Sequence, residues 1–193
     1  MKESRIIIEP GFFLFLSLGL LFVSIPWLLA WLTAAAIHEI CHILALRLCD
    51  CEIDSVRIGP GGAKIQGEIP QGISGMVCAL AGPAGGLLLL AFLHIIPRVA
   101  LCGLFQSVYN LLPIYPLDGG RALQGLLTQA FGNQRGKLFS RIIGYLFLAL
   151  LFGVSLYAAV GLKFGIWLMF PTLALIFKNT PCKRSRLGVQ YLQ

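Results

Sequence analysis

The chain has 193 residues, of which 58% are hydrophobic and only 12% are charged, and its mean hydropathy is +0.85. A soluble domain is typically about one quarter charged, so this composition excludes an ordinary soluble enzyme and indicates a membrane protein. The formal net charge of +7 could suggest nucleic acid in a soluble protein. In a membrane protein, however, basic residues act mainly as topology anchors and contacts for lipid headgroups. We therefore expect the lipid bilayer as a partner, and no nucleic acid.

Six apolar stretches approach the roughly 20 residues that a helix needs to cross a bilayer. The predicted spans lie near residues 11–25, 26–48, 73–96, 99–112, 138–160 and 162–177. We interpret the first as a retained span and not a cleaved secretory signal, because no convincing small-x-small cleavage site follows it. The expected fold class is an all-α polytopic membrane protein with about six transmembrane helices and a short β-hairpin between the second and third.

The basic residues select an orientation for these spans. If both termini are cytoplasmic, thirteen of the fifteen lysines and arginines fall on the inner side, which leaves only Arg98 and Lys163 outside. The positive-inside rule favours this arrangement strongly. We expect a multi-pass protein of a bacterial-type cell membrane with both termini in the cytoplasm. The six cysteines form no CxxC pair, and we expect them to act as small apolar residues without disulfides.

One short motif in the second predicted span has strong metal-binding character. The sequence His38-Glu39-Ile40-Cys41-His42 reads HExxH. Residues four apart lie on one face of a helix, so His38 and His42 can hold one metal ion together. Glu39 then lies beside the ion, where it can take a proton from metal-bound water. Because both flanks are apolar and no wet face is present, we predict that this chemistry is buried in the membrane.

A second motif supplies a carboxylate for the same ion. Asp118 is the only carboxylate between Glu68 and the C-terminus, and it follows the predicted fourth span. In the chosen orientation this span and the HExxH span both run inward, so Asp118 falls near the membrane depth of the two histidines, toward the cytoplasmic side. Hydrolytic zinc sites commonly use three protein ligands and leave one position for water. His38, His42 and Asp118 would complete such a set around one Zn²⁺ per chain, and a plain turn residue is the alternative role for Asp118.

With both motifs in place, the chain resembles the site-2 protease family of intramembrane zinc metalloproteases. That family pairs HExxH with an NxxPxxxxDG element, and residues 81–83 (Ala-Gly-Pro) match a third, weaker element. The NxxPxxxxDG positions are filled here by Asn110, Pro113, Asp118 and Gly119. The full run Asn-Leu-Leu-Pro-Ile-Tyr-Pro-Leu-Asp-Gly-Gly is similar to that of the stage IV sporulation protein FB branch. The resemblance extends from the first span through the sixth and stops at the tail.

The resemblance implies a domain organisation and an activity. We expect residues 1–178 to form an integral membrane metalloprotease domain and residues 179–193 a basic cytoplasmic tail, without a PDZ or CBS domain. The implied activity is cleavage of a peptide bond in or near a transmembrane segment of a membrane-tethered substrate, as in regulated intramembrane proteolysis. A sigma-factor precursor or an anti-sigma factor would be such a substrate, and the sporulation branch points to the former. A membrane inhibitor or regulator is a further partner to consider.

Two residues receive roles beyond metal binding. Glu39 is the predicted general base, which activates zinc-bound water and later returns the proton to the leaving amine. Asn110 resembles a family residue that helps to bind the substrate or to stabilise the oxyanion. Capping of the broken helix end is the alternative role for Asn110.

A Gly-rich segment between the second and third spans, residues 58–67, predicts the short β-hairpin. An exposed strand edge can pair with an extended substrate, which suits the chemistry because a helical peptide bond must unwind before water attacks it. The residues assigned to this substrate-pairing edge are Gly61, Gly62, Ala63, Lys64 and Ile65. An ordinary cytoplasmic hairpin is the alternative interpretation.

Two other functions use the same ligands. A metal transporter or metal sensor would be expected to show internal repeats and polar residues along a path, and the sequence shows neither. A catalytically silent relative that binds membrane partners would be expected to have lost some of the motif residues, whereas His38, Glu39, His42 and Asp118 are all present. The protease is therefore the first hypothesis and an active enzyme is expected.

Overall fold

The computed structural model describes residues 5–60, 62–67, 70, 72–160, 172–176 and 191–192. The elements in chain order are β1 (Arg5–Ile8), α1 (Pro10–Phe22), α2 (Ile25–Leu48), β2 (Ile53–Gly59), β3 (Gly62–Gly67), α3 (Gly72–Leu88), a 3₁₀ turn (Leu89–Phe92), α4 (Pro97–Asn110), α5 (Asp118–Phe131), α6 (Asn133–Val160) and β4 (Tyr191–Leu192). Residues 172–176 are also helical. Gly61, most of the predicted sixth span at 162–177 and most of the tail at 179–193 lie outside the described residues.

Prolines mark where several helices begin. Pro10, Pro26 and Pro97 each occupy one of the first two positions of a helix. Proline suits these positions because the first turn leaves backbone N–H groups unpaired and proline has none. Extended backbone at Val23 and Ser24 separates α1 from α2. The chain can therefore turn between two apolar helices that follow each other directly in sequence.

Three helices in the described part of the chain are long and apolar enough to cross a membrane. They are Ile25–Leu48, Gly72–Phe92 and Asn133–Val160, and they correspond to the predicted second, third and fifth spans. The predicted first and fourth spans are helices α1 and α4, with 13 and 14 residues, which is shorter than the roughly 20 that span a bilayer. The prediction of a mostly helical membrane protein is confirmed, whereas the number of six spans stays a prediction.

The long helices expose large apolar side chains on their outer faces. Examples on α2 and α6 are Leu29, Ile40, Leu44, Leu146, Leu150 and Val154. Soluble monomers rarely expose large continuous apolar surfaces. These faces are therefore suited to contact lipid.

Helix α3 contacts α2, α4 and α5. Its glycines allow this close approach, because a Cβ at Gly85 would overlap Sγ of Cys41 on α2. A Cβ at Gly86 would likewise overlap Oγ of Ser107 on α4. Small residues at helix contacts are typical of membrane helices, which pack through close van der Waals contact. The arrangement places α2, α3 and the start of α5 around one point.

The predicted hairpin is present in a mostly helical fold, and it belongs to a sheet that is larger than the prediction. Strands β2 and β3 are antiparallel, with Gly59 opposite Gly62 at the turn. Strand β1 pairs with β2 in parallel, and β4 pairs with β3 at Ile65 and Gln66. Strand β1 was not predicted. It has only four residues, too few for a recognisable alternation of apolar and polar side chains, and its partner strand lies about fifty residues away.

Helix α5 is a further element that the sequence reading did not predict. It begins at Asp118, packs against α3 and α6, and is separated from α6 by Gly132, whose φ of 81° ends the helix. The segment carries several polar residues and lacks the long apolar run by which spans were recognised. Its position matters because it places Asp118 in the first turn of a helix directed at α2 and α3.

Candidate metal centre

Three buried side chains from two distant parts of the chain converge on one point. Nε2 of His38 lies 3.0 Å from Oδ2 of Asp118, and Nε2 of His42 lies 3.2 Å from the same oxygen. The two Nε2 atoms are 3.2 Å apart. All three residues are at most 5% exposed. Among the described residues, they form a group of metal-binding side chains whose ligand atoms lie close together.

The second nitrogen of His42 fixes the orientation of its ring. Nδ1 lies 2.8 Å from the backbone carbonyl oxygen of Cys78 on α3. In the neutral ring, Nδ1–H donates to this carbonyl, which leaves the lone pair of Nε2 directed at the centre. Metal-binding histidines commonly donate their other N–H in this way.

His38 differs from His42 at its second ring nitrogen. Its Nδ1 is buried and has no hydrogen-bond partner among the described residues. If Nε2 presents a lone pair to the centre, Nδ1 carries the proton without an acceptor, at a cost of about 1–3 kcal/mol. Three lone-pair donors would also repel one another. A cation shared by His38, His42 and Asp118 would offset both costs.

The spacing of the three atoms fits zinc. Ligands about 2.0–2.1 Å from a tetrahedral zinc ion lie roughly 3.3 Å from each other. The observed separations of 3.0–3.2 Å are close to that value. Two imidazole nitrogens and one carboxylate oxygen also match the donor types of zinc sites that keep an open position.

Two glycines bring Asp118 to the histidines. The backbone of α5 at Gly119 and Gly120 lies so close to the preceding loop that a Cβ on either would overlap backbone atoms, at Leu111 and Ile114 respectively. Glycine is therefore needed for this close approach. The sequence Asp-Gly-Gly places the carboxylate in the first helical turn and at the same time folds the loop beneath it.

Arg121, one turn after Asp118, also contacts this loop. Its Nε donates a hydrogen bond of 3.1 Å to the carbonyl oxygen of Pro116. Its guanidinium carbon lies 5.9 Å from the centre of the Tyr115 ring. The side chain thus joins the first turn of α5 to the chain segment that leads into it, and it stabilises the position of Asp118.

Gly82 forms the wall of the centre on α3. A Cβ at this position would overlap Nε2 of His42 and would lie 2.7 Å from Nε2 of His38. Cys78 and Gly82 are one helical turn apart on α3, so they share a face. Cys78 orients His42 through its carbonyl, and Gly82 leaves room for the two imidazole rings.

Glu39 lies half-buried beside the hairpin. The backbone N–H of Ala63 donates to its Oε1 at 3.4 Å, and a Cβ at Gly62 would lie 3.8 Å from the same oxygen. Since Ala63 directs its N–H at Glu39, this group points away from β2. The outer edge of β3 therefore faces the carboxylate of Glu39.

Asn110 is the last residue of α4 and lies next to the centre. Its Nδ2 is 3.5 Å from Nε2 of His38. The structure thus gathers His38, Glu39, His42, Asp118 and Asn110 in one place and sets Gly62 and Ala63 beside Glu39. Lys64 and Ile65 follow in β3, with Ile65 buried against Leu46 and Cys78.

Three contributions to the centre were not predicted from the sequence. They are the carbonyl of Cys78, the close approach of Gly82 to the histidines, and the contacts of Arg121 with the loop before α5. Cys78 acts through its backbone carbonyl, which no residue type reveals. Gly82 was considered only as part of the weak Ala-Gly-Pro element at residues 81–83. The position of Arg121, one turn after Asp118, was the one signal in the sequence that could have indicated its role.

Comparisons with known proteins agree with this geometry. Residues 62–154 match the sequence profile of peptidase family M50, a region that contains Asn110 and Asp118 and begins after the HExxH motif. The chain also has the fold of the site-2 protease from Methanocaldococcus jannaschii, with a TM-score of 0.62 and 22% sequence identity over 92% of this chain and 90% of that one.

Proteins with similar sequences carry names that refer to zinc metalloproteases. The chain is 30% identical over 142 residues to sll0528 of Synechocystis, and 28% identical over 179 residues to Rip3 of Mycobacterium tuberculosis, both named as candidate zinc metalloproteases. It is 24% identical over 151 residues to the zinc metalloprotease MJ0392 of M. jannaschii. These alignments cover 62%, 80% and 68% of this chain but 38%, 45% and 44% of the relatives, so the chain spans less than half of their length. Residues 62–154 are thus similar to peptidase family M50, and the names of the matched relatives support zinc as the metal.

Proposed function

We propose that this protein is an intramembrane zinc metalloendopeptidase that cleaves a peptide bond in or near a transmembrane segment of a membrane-tethered protein. The observation that carries the proposal is the convergence of His38, His42 and Asp118, with ligand atoms 3.0–3.2 Å apart. The two histidines lie on α2, which is long and apolar enough to cross a membrane, and Glu39 directly follows His38 in the chain. Ionisable groups are costly inside a membrane and are usually functional there.

The three ligands hold the metal, and the metal supplies Lewis acidity. When bound, zinc activates water at neutral pH and polarises the carbonyl group that is attacked. His42 keeps its lone pair on the centre because Nδ1–H donates to the carbonyl of Cys78. Asp118 contributes a negative charge that offsets part of the charge of the ion.

Glu39 moves the proton. Its Oε1 accepts the N–H of Ala63, so we assign the proton transfer to Oε2. Glu39 takes a proton from the attacking water and returns it to the nitrogen of the leaving amine. Asn110, whose Nδ2 is 3.5 Å from Nε2 of His38, can donate to the substrate carbonyl oxygen as negative charge develops there.

The hairpin aligns the substrate. In the described part of the chain, β4 pairs with β3 only at Ile65 and Gln66, so the Gly62–Lys64 part of the same edge has no strand partner. The N–H of Ala63 is donated to Glu39, so an extended peptide would pair with this edge through the carbonyl of Ala63 and would pass in front of Glu39. Strand addition of this kind uses main-chain hydrogen bonds and tolerates varied side chains, which suits a substrate segment that has unwound from a helix.

The membrane orientation, the substrate class and a regulatory partner are proposed from the sequence. We propose a multi-pass arrangement with both termini and the metal centre toward the cytoplasm, because that orientation places most basic residues inside. The proposed substrate is a sigma-factor precursor, to which the resemblance to the stage IV sporulation protein FB branch points, or an anti-sigma factor. A membrane protein that regulates cleavage would be an additional partner.

The test is cleavage of a co-reconstituted single-span substrate by the purified protein. Wild type should produce a fragment in the presence of zinc, and a zinc chelator should stop it. Glu39→Gln should keep the zinc content of wild type and lose about 10²–10⁴-fold in cleavage rate, the usual contribution of a general base. Cleavage by Glu39→Gln at the wild-type rate would exclude Glu39 as the base.

The same vesicles test the transporter alternative. A zinc-sensitive dye trapped in proteoliposomes reports zinc entry. The proposal expects no entry above that of empty vesicles, with cleavage intact. Zinc entry that depends on His38 and His42, without any cleavage, would replace the protease with a transporter.

A further inference from the structure

A pair of thiols lies behind the metal centre. Sγ of Cys49, the residue directly after α2, is 3.6 Å from Sγ of Cys78 on α3. Cys78 is 1% exposed, whereas Cys49 is half-buried. No disulfide joins the two cysteines in this structure. A disulfide has an S–S distance of about 2.05 Å, so the two sulfur atoms need to approach by about 1.5 Å to form one.

The pair is connected to the centre through one residue. The carbonyl of Cys78 accepts the Nδ1–H of His42, and Cys49 follows His42 by two helical turns on α2. The thiols also lie in the cluster where Leu46, Ile65 and Cys78 pack, beneath strand β3. A covalent bond between the thiols would therefore displace both the Cys78 carbonyl that His42 contacts and the side chains that pack beneath β3.

We propose that Cys49 and Cys78 form a redox-active dithiol whose oxidation to a disulfide lowers the affinity of the centre for zinc. The formation of the disulfide is independent of the proposed function, whereas its effect on zinc rests on it. Residues that orient metal ligands commonly change metal affinity 10–100-fold when they are altered. We expect a loss of at least about tenfold on oxidation.

The oxidant in the proposed reaction is a small disulfide such as oxidised glutathione. The more accessible Cys49, as thiolate, attacks one sulfur of that disulfide, and the first small thiol leaves. Cys78 then attacks the sulfur of Cys49 in the mixed disulfide, and the second small thiol leaves. The two cysteines lose two electrons in total, the small disulfide gains them, and the two cysteine protons end on the two released thiols.

Thiol mapping tests the site independently of zinc and of cleavage. Detergent-purified protein is equilibrated with oxidised glutathione, alkylated and digested. Wild type should lose two free thiols and yield a peptide in which Cys49 and Cys78 are linked. Cys49→Ser should yield no such link, and Cys102→Ser, which removes a buried thiol elsewhere, should behave as wild type. Thiols that stay reduced, or a link from Cys49 to Cys51, would overturn the proposal.

Zinc content of the same samples tests the coupling. Oxidation should lower zinc retention in wild type and Cys102→Ser by at least about tenfold, and a dithiol reductant should restore it. Cys49→Ser should retain zinc under both conditions. A linked peptide with unchanged zinc retention would contradict the coupling. Reduced wild type without any zinc would instead contradict the proposed metal centre, while the linked peptide would still report on the thiols.

Discussion

Oδ2 of Asp118 lies 3.0 Å from Nε2 of His38, although eighty residues separate them in the chain. The contact joins the first turn of α5 to α2 and completes the group with His42. The relationship depends on folding at two levels. The histidines are adjacent because of helical periodicity, whereas the carboxylate arrives only when α5 packs against α3 and its two leading glycines fit the loop before it.

The first prediction concerns zinc stoichiometry. Purified wild type should contain about one zinc per chain. Asp118→Asn should bind zinc at least about tenfold more weakly, because it replaces a charged ligand with a neutral amide. The double variant His38→Ala/His42→Ala should retain none. Metal analysis of detergent-purified protein after gel filtration measures all three, and circular dichroism checks that each is folded. Equal zinc in wild type and the double variant would exclude this centre.

The second prediction concerns the wall of the centre. Gly82→Ala should lower zinc binding, since its Cβ would overlap Nε2 of His42, and overpacking of this kind costs about 1–3 kcal/mol. Gly153→Ala is the matched control, because Gly153 lies on α6 and a Cβ there would meet nothing within 4 Å. In a helix the control change should be neutral or stabilising. Zinc content and thermal unfolding of both variants provide the comparison, and wild-type zinc in Gly82→Ala would contradict the close approach of α3.

The sequence allowed the chemistry to be predicted further than the architecture. HExxH needs only helical spacing, and Asp118 stood out as the only carboxylate after Glu68. In contrast, the partner of His42 is a backbone carbonyl, and strand β1 exists because β2 lies beside it. Helix α5 lacks a long apolar run in sequence and packs against α3 and α6. Features that depend on a distant partner leave little local signal.

The third prediction concerns the edge of β3. Ala63→Pro removes the N–H that points to Glu39 but takes no hydrogen bond from the β2 ladder, because that N–H faces outward. Proline is tolerated in such edge positions. Loss of one hydrogen bond costs about 0.5–1.5 kcal/mol, so cleavage should fall roughly two- to tenfold.

Ala63→Ser keeps the N–H and serves as the control for that variant. Its cleavage rate should match wild type, and both variants should retain zinc. Equal cleavage by Ala63→Pro and Ala63→Ser would show that the N–H of Ala63 has no part in catalysis. Loss of zinc in Ala63→Pro would assign the effect to the metal centre instead of the strand edge.

The fourth prediction concerns stability at the end of α2. Asp50 has a φ of 54°, a left-handed conformation just after the helix ends. Glycine adopts this conformation without steric cost and is the preferred residue at such helix ends. Asp50→Gly should therefore stabilise the folded protein by roughly 0.5–1 kcal/mol, seen as a higher midpoint of thermal unfolding in detergent. Asp50→Val should lower the midpoint, because a β-branched side chain fits this region poorly. A lower midpoint for Asp50→Gly than for wild type would mean that the Asp50 side chain contributes more than its strained backbone costs.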